Sequence, residues 1–478
     1  MNASICIRKI MTKMTKIIAT LGPASDSYET ICELIKSGVN IFRLNFSHDS
    51  YENHQKRIEN IRKAADDLNK NIAILQDLQG PKIRVGEIDE NGIKLENGAE
   101  VILTVNAQSE GKIEVQYKGL DKDVSAGDVV LLDDGLLELK VLEVSGGDIK
   151  CEVIVGGILK SKKGINLLTS SISIPAISEK DESDAKFGCE NEVDFVALSF
   201  VKNAQDIKDL RKIIGENGSQ IIAKIERHEA VQNVREIVEE ADSIMVARGD
   251  LGVELGMDKV PVLQKRIINE CLRQNKPVIV ATQMLESMTK NPRPTRAEAS
   301  DVANAILDGA DAVMLSAETA VGDYPLEAVK TICNIATDVE AWVIENQVVI
   351  GKRIQSEVDS VAEAISNTVV RLAKQTGAKL ILVPTATGIT ANLISNRRPF
   401  VQVLAITHDH KAMRRMAILW GVQARVVEYN TVEEMIVNGI EIAKKYDYIK
   451  KDDRVIIASG KLPGVPGGTN IVEVMTVE

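Results

Sequence analysis

The stretch SIMVARGD, residues 243–250, shows the pattern that decides the fold. Its apolar core is followed directly by Arg248, Gly249 and Asp250. A short apolar run without alternation is typical of a strand that is buried on both faces of a parallel sheet. Charged side chains at the end of such a strand indicate that it leads into a functional site.

The same pattern recurs through the first two thirds of the chain. Between Lys16 and Ala320, apolar runs alternate with amphipathic segments such as residues 51–68, whose apolar residues are three and four apart. Eight such units predict an α/β protein with a parallel TIM (β/α)8 barrel. The runs are KIIAT (16–20), NIFRLNF (40–46), IAILQDL (72–78), DFVALSF (194–200), IIAKIE (221–226), SIMVARG (243–249), PVIVATQ (277–283) and AVMLSAE (312–318).

Polar side chains follow the middle of each run, at the end where the strand stops. Any one of them could equally be a capped strand end or part of a surface ion pair. Because barrel active sites lie at the C-terminal rim, their recurrence predicts that they meet in one site. They are Thr20, Arg43, Asn45, Asp77, Ser199, Lys224, Glu226, Arg248, Asp250, Thr282, Ser316 and Glu318.

Two regions depart from the barrel pattern. Residues 85–171 are strand-rich and punctuated by glycine, and they predict a small inserted β-barrel domain that could act as a lid. Residues 346–478 alternate helices with apolar strands and predict a C-terminal open α/β domain. The barrel is therefore assigned to residues 15–84 and 172–345, and residues 1–14 are assigned to an N-terminal tail.

The C-terminal region contains TATGIT, residues 385–390, directly after a predicted strand. Hydroxyl groups and a glycine at a strand-to-helix turn favour a phosphate, because backbone N–H groups converge there. Thr385, Thr387, Gly388 and Thr390 thus form a candidate effector phosphate loop, although an ordinary polar turn fits the same letters.

Three residues from two neighbouring strands suggest the chemistry. Lys224 and Glu226 are two residues apart and lie on the same side of a strand, where a simple salt bridge is also possible. Asp250 from the next strand adds a second carboxylate, and such a pair suits Mg2+ (or Mn2+) with open positions for phosphate oxygens. With positive charge from Arg43 and Lys224, the set indicates phosphoryl transfer.

Composition narrows the class of protein. The 478 residues carry a net charge of −11, which argues against a nucleic-acid or anionic-membrane surface. No apolar run approaches the roughly 20 residues of a membrane span. The six cysteines include no C-x-x-C pair, so neither a zinc site nor a disulfide framework is indicated, and a cytoplasmic location is expected.

Many of these segments resemble the pyruvate kinase family. The matching stretches include TLGPAS, RLNFSH, GPKIR, KKGIN, KIERHE, MVARGDLG, ATQMLESM, PRPTRAEASDVANAI and DGADAVMLSAETA. The resemblance covers residues 15 to 478 and implies a barrel, a lid and an effector domain. It also implies a glycolytic enzyme, usually a homotetramer, that converts phosphoenolpyruvate and ADP to pyruvate and ATP.

The resemblance implies a role for each matching residue. Lys224 would stabilise the phosphoryl group in transfer, Glu226 and Asp250 would bind the metal, and Arg43 would bind the substrate phosphate. Gly249 and Thr282 would bind the substrate carboxylate, and Ser316 and Glu318 would belong to the route that protonates the enolate. The residues implied for nucleotide binding are Asn45, Ser47, His48, Arg84 and Lys163.

The segment after Asp77 departs from the family pattern. Many members bind K+ near a threonine where this chain has Leu78, and they have a glutamate where it has Lys82. A lysine ammonium near Asp77 could replace the cation, with an attraction on the order of several kcal/mol at a protein surface. We therefore expect an enzyme that does not require K+, whereas a solvated Lys82 in a K+-dependent enzyme is the alternative.

Two other functions remain possible at this stage. A Mg2+-dependent barrel aldolase or lyase acting on pyruvate or phosphoenolpyruvate would use the same carboxylates but no nucleotide. A catalytically inactive sensor would keep only the effector domain. The letters of TATGIT do not distinguish fructose 1,6-bisphosphate from another sugar phosphate or AMP.

Overall fold

The computed structural model describes residues 13–106, 111–168, 174–216, 218–351, 360–428, 431–460 and 468–478. The predicted N-terminal tail therefore lies outside the described residues, apart from its last two positions. No helix within the described ranges is both long enough and apolar enough to span a membrane.

The first part of the chain forms three strands and two helices. Both helices begin at a serine whose side chain accepts a backbone N–H three residues later, Ser27 from Thr30 and Ser50 from Asn53. The elements are β1 (Lys16–Thr20), α1 (Tyr28–Ser37), β2 (Ile41–Asn45), α2 (Tyr51–Asp67) and β3 (Ala73–Asp77).

The described part of the inserted region follows as eight strands and one short helix. Its elements are β4 (Ile93–Leu95), β5 (Glu100–Thr104), β6 (Ile113–Glu114), α3 (Leu120–Asp123), β7 (Val129–Leu132), β8 (Leu137–Ser145), β9 (Asp148–Val155), β10 (Gly157–Leu159) and β11 (Ile165–Leu167). Buried side chains including Val85, Leu103, Leu139 and Cys151 form a core of its own.

The larger part of this region is a sheet whose two edges are linked by single residues, in keeping with the small β-barrel domain that was predicted. In the described residues, six of its strands form a sheet in the order β11-β7-β8-β9-β5-β6, and β10 pairs with β4 separately. Arg84 and Val85 reach the two edges of the larger sheet through isolated bridges to Gly164 and Val115. Single bridges rather than a ladder join these edges in the part of the region that the structure describes.

The chain then returns to the barrel. The elements are α4 (Glu179–Glu190), β12 (Phe195–Leu198), α5 (Ala204–Ile214), β13 (Gln220–Ile225), α6 (His228–Gln232), α7 (Val234–Glu240), β14 (Ser243–Ala247), α8 (Arg248–Leu255), α9 (Val260–Arg273), β15 (Val278–Ala281), a 3-10 turn (Glu286–Thr289), α10 (Arg296–Asp308), β16 (Ala312–Leu315), α11 (Ala317–Ala320) and α12 (Pro325–Asn346).

Eight parallel strands close in the order β1-β16-β15-β14-β13-β12-β3-β2, which confirms the predicted TIM barrel. Alternate residues of one strand enter different cores: Ile17 and Ala19 pack with the surrounding helices, whereas Ile18 belongs to a second cluster with Leu75 and Ile279. Both faces are buried, and this explains why the strand sequences are apolar without alternation.

The C-terminal region is an α/β layer, as predicted. Its elements are α13 (Val361–Thr376), β17 (Leu380–Pro384), α14 (Ile389–Asn396), β18 (Gln402–Thr407), α15 (His410–Arg415), a 3-10 turn (Met416–Ile418), β19 (Val422–Val426), α16 (Val432–Lys445), β20 (Arg454–Gly460) and β21 (Thr469–Thr476). The sheet has the order β19-β18-β17-β20-β21, and only its edge strand β21 is antiparallel to its neighbour.

Buried polar contacts join this layer to the N-terminal end of the barrel. Arg398 donates to Asp311 at 2.7 Å and to the carbonyl of Gly309 at 2.6 Å, and its guanidinium lies 5.1 Å from the centre of the Trp420 ring. Lys16 at the start of β1 donates to the carbonyl of Val422 at 2.6 Å. These contacts orient the C-terminal layer against the N-terminal end of the barrel, opposite the rim at which the sequence predicts the functional site.

We expect Arg398→Ala to destabilise the protein strongly. The side chain of Arg398 is 3% exposed, and its loss leaves the Asp311 carboxylate buried without its cation. Removing one partner of a buried pair costs about 3–5 kcal/mol. The midpoint of urea unfolding measures the effect. Lys290→Ala is the control, because its pair with Asp323 is exposed and is worth about 0–1 kcal/mol; equal midpoints for the two variants would contradict the prediction.

Candidate active site

Lys224 lies at the centre of a cluster formed by the ends of four barrel strands. Its Nζ is 2.9 Å from Glu226 Oε1 and 3.3 Å from Asp77 Oδ1, and it donates to Ser199 Oγ at 2.7 Å. Arg43 Nε is 2.7 Å from the other oxygen of Asp77. The predicted rim residues of β2, β3, β12 and β13 are thus brought together.

The charges of this cluster stabilise one another. Asp77 is 1% exposed, and burial alone would raise its pKa, but Lys224 and Arg43 outweigh that effect and hold the pKa below its usual range. Burial would likewise lower the pKa of Lys224, yet the carboxylates of Asp77 and Glu226 raise it above the ordinary value. Lys224 therefore stays protonated at neutral pH.

Glu226 directly follows β13, and Asp250 lies in the first turn of α8, which follows the neighbouring strand β14. Glu226 Oε2 accepts the N–H of Phe200 at 2.8 Å, and Phe200 has a φ of 57°. Burial raises the pKa of Glu226, the charge of Lys224 opposes this, and the neighbouring Asp250 raises it further. A buried carboxylate whose charge is disfavoured by a neighbouring carboxylate fits a site for a divalent cation, which would relieve the repulsion.

Gly249 and Thr282 also meet at the rim. The Gly249 N–H donates to Thr282 Oγ1 at 2.9 Å. Thr282 and Gln283 have φ values of 67° and 53°, and strained backbone of this kind is common at functional sites. Arg248 supports the turn, since it donates to the Thr282 carbonyl at 2.6 Å and to Asp301 at 2.5 Å.

Ser316 directly follows β16, and Glu318 lies in the short helix α11 that begins at the next residue. Glu318 is fully buried, and its two oxygens accept the N–H groups of Ser316 at 2.7 Å and Leu285 at 3.0 Å. Its carboxylate thus joins the ends of two neighbouring strands. The sequence placed both residues at the rim, but it contained no signal that backbone groups would occupy both oxygens of Glu318.

The residues implied for nucleotide binding lie in two places. Asn45 Oδ1 accepts the N–H of Ser47 at 3.1 Å, and His48 is exposed in the same turn after β2. Arg84 donates to the carbonyl of Lys162 at 2.9 Å, and the Lys163 ammonium is 2.7 Å from Asp133. Arg84 and Lys163 therefore lie together where the inserted sheet meets the barrel.

Lys82 has different partners from the expected one. Its ammonium is 3.4 Å from Asp250 and 3.3 Å from Asp134, and not beside Asp77. The predicted Lys82–Asp77 pair is therefore wrong in this structure, because Asp77 is already held by Arg43 and Lys224, and the chain turns away at Gly80, whose φ is 68°. Burial would lower the pKa of Lys82, but the two carboxylates raise it.

The candidate effector loop has the expected strand-to-helix geometry. Thr385 Oγ1 accepts the N–H of Gly388 at 3.0 Å, and Gly388 has a φ of 89° just before α14. The hydroxyl of Thr390 contacts that of Thr469, while Thr387 is exposed. The loop is an ordered turn at a helix N-terminus.

Family models match most of the chain. The model described as pyruvate kinase, barrel domain, matches residues 12–329, and the one described as pyruvate kinase, alpha/beta domain, matches residues 363–475. Among curated relatives, the pyruvate kinase of Geobacillus stearothermophilus is 42% identical over 98% of this chain and 81% of its own length. Those of Staphylococcus epidermidis and Staphylococcus aureus are 44% identical over 97% of this chain and 80% of theirs.

Proposed function

The chain belongs to the pyruvate kinase family and is a phosphotransferase, and we propose that the residues around Lys224 transfer the phosphoryl group of phosphoenolpyruvate to ADP. Family membership favours this activity over a barrel aldolase or lyase. We also propose that the enzyme acts in cytoplasmic glycolysis.

The position of the Lys224 ammonium between the carboxylates of Asp77 and Glu226 is the observation that carries the proposal. A phosphoryl group in transfer spreads negative charge over its equatorial oxygens, and the enzyme acts mainly by positioning and by neutralising that charge. Asp77 and Glu226 hold Lys224 in place and charged. Arg43, oriented by Asp77 and by Thr20 Oγ1 at 3.1 Å, adds a planar fork suited to a phosphate.

Glu226 and Asp250 would hold the divalent cation, Mg2+ or Mn2+. When bound, it supplies Lewis-acid polarisation and charge neutralisation at phosphate oxygens. The Phe200 N–H and Lys224 keep the Glu226 carboxylate in a single orientation, so that little reorganisation is required on binding.

The remaining rim residues would bind the substrate carboxylate and protonate the enolate product. The Gly249 N–H and the Thr282 hydroxyl, which face each other, would turn to the substrate carboxylate. Breaking the P–O bond leaves the enolate of pyruvate, which takes a proton at carbon. We assign Ser316 to that proton route and give Glu318 a positioning role, because its two oxygens are held by backbone N–H groups.

Nucleotide binding would involve both the barrel and the inserted region. Asn45 ends β2 and Ser47 and His48 follow it, whereas Arg84 and Lys163 lie at the base of the inserted sheet. The predicted domain limits and a homotetramer are also parts of the proposal, and the resemblance to the family supports them. A phosphate-bearing effector at residues 385–390 is a further part, supported by the geometry of the turn before α14.

We propose further that catalysis does not require K+. The Lys82 side chain is 22% exposed and its ammonium lies at the rim beside Asp250, so a fixed positive charge stands next to a proposed metal ligand. This retains the expected role for Lys82 and changes its partner.

Lys224→Met should abolish most of the activity. The charge on the transferred group would lose its fixed cation, and losses of this kind reach about 10²–10³-fold in kcat or more. Pyruvate formation coupled to lactate dehydrogenase measures the rate, and tryptophan fluorescence on adding phosphoenolpyruvate checks that binding persists. Lys212→Met, at an exposed position paired with Asp209, is the matched control. A Lys224→Met enzyme within about tenfold of the parent would contradict the role.

The wild-type enzyme should turn over fully in a tetramethylammonium buffer free of K+ and Na+, and added KCl should change the rate little. Lys82→Glu should make the rate depend on K+, since it replaces the tethered cation by an anion. Lys94→Glu, where the lysine is exposed and pairs with Glu96, is the control for the charge change. Strong stimulation of the wild-type enzyme by KCl would refute K+ independence while leaving the phosphotransfer assignment intact.

A further inference from the structure

A polar cluster with two buried and two partly exposed members lies beside the proposed catalytic rim and is not used in the reaction described above. It consists of Arg227, His228 and Glu229 at the start of α6, and of Glu254 near the end of α8. Arg227 and Glu254 are 2% and 5% exposed. Charged groups withdrawn from water to this degree require compensation by partners.

Glu254 bridges two separate segments of the chain. Its Oε2 accepts the N–H of His228 at 3.2 Å, and its Oε1 is 3.8 Å from Arg227 Nε. The preceding residue, Arg227, makes no side-chain cap at the start of α6. Glu254 therefore supplies, from another helix, the acceptor and the negative charge that a helix N-terminus favours.

Each bridged segment carries one proposed metal ligand. Glu226 lies two residues before His228, at the end of β13, and Asp250 lies one helical turn before Glu254 on the same face of α8. The contact between Glu254 and His228 thus sets the distance between the segments that present the two carboxylates.

Arg227 argues against the cluster being a cation site of its own. Its guanidinium is 3.2 and 3.3 Å from the two oxygens of Glu229. A positive charge among the carboxylates already compensates them, which favours a structural connection over a second metal.

We propose that Glu254 is a positioning residue that fixes Glu226 and Asp250 relative to each other for cation binding. The inference rests on the proposed function, because it takes those two residues as the metal ligands. Outer partners of metal ligands typically affect metal affinity by about 10- to 100-fold.

The test is a titration of the full-length enzyme with Mn2+, without substrates, followed by electron paramagnetic resonance of the free ion. Glu254→Ala should raise the Mn2+ dissociation constant by about tenfold. It should also raise the Mg2+ concentration needed for half-maximal rate, with kcat largely restored at saturating Mg2+. Glu254→Gln keeps an acceptor for the His228 N–H and should bind Mn2+ within about threefold of the parent.

Glu229→Gln is the matched control, since it removes a charge from the same cluster without breaking the bridge to α8. It should leave the Mn2+ dissociation constant nearly unchanged. A Glu254→Ala enzyme that unfolds at lower temperature but binds Mn2+ as the parent does would overturn the proposal. If Glu254→Ala does not fold, Glu254→Asp, whose carboxylate is withdrawn by one methylene, takes its place with the same expectation.

Asp250→Asn separates this inference from the proposed function. If it binds Mn2+ as tightly as the parent, the ligand assignment fails and the positioning role fails with it. If Asp250→Asn weakens Mn2+ binding and Glu254→Ala does not, only the positioning role is refuted.

Discussion

The pairing of β1 with β16 is the constraint on which the rest of the structure depends. Lys16 pairs with Ala312 and Ala19 with Leu315, which brings together segments almost 300 residues apart in the sequence. Thr20 and Thr319 then each donate to the other segment's backbone, to the carbonyls of Leu315 and Thr20. Without this closure, the eight strand ends would lie along an open edge and could not surround one substrate.

Closure creates an electrostatic problem, because charged side chains from several strands are withdrawn from water at one place. The structure solves it by alternating signs: Arg43, Asp77, Lys224 and Glu226 form a continuous chain of opposite charges. Such pairs contribute little net stability, since desolvation cancels much of the attraction. Their effect is to hold Lys224 protonated and to orient Lys224 and Arg43 before a substrate arrives, which is the condition for electrostatic catalysis.

The inserted region meets the rim through the turn between β7 and β8. Asp133, Asp134 and Gly135 have φ values of 52°, 53° and 87°, an unfavourable conformation for the two aspartates. The same aspartates pair with Lys163 and Lys82. The turn therefore presents one carboxylate to Lys163, for which we propose a role in nucleotide binding, and one to Lys82, for which we propose a role at the rim. Phosphate groups of a bound ligand would compete with these carboxylates for the two lysines.

The sequence by itself determined the barrel, the inserted strands, the C-terminal layer and the set of polar residues at the rim. Those features are local, because an apolar run and the type of polar residue that follows it are visible in the sequence without knowing which other segments they contact. Only the tertiary structure decided which acid meets which base. Lys82 pairs with Asp250 and Asp134, and Glu254 reaches the start of α6. When two side chains are far apart in the sequence, whether they meet depends on how their segments pack. A charged side chain withdrawn from water pairs with an opposite charge that is close in space, whatever the distance along the chain.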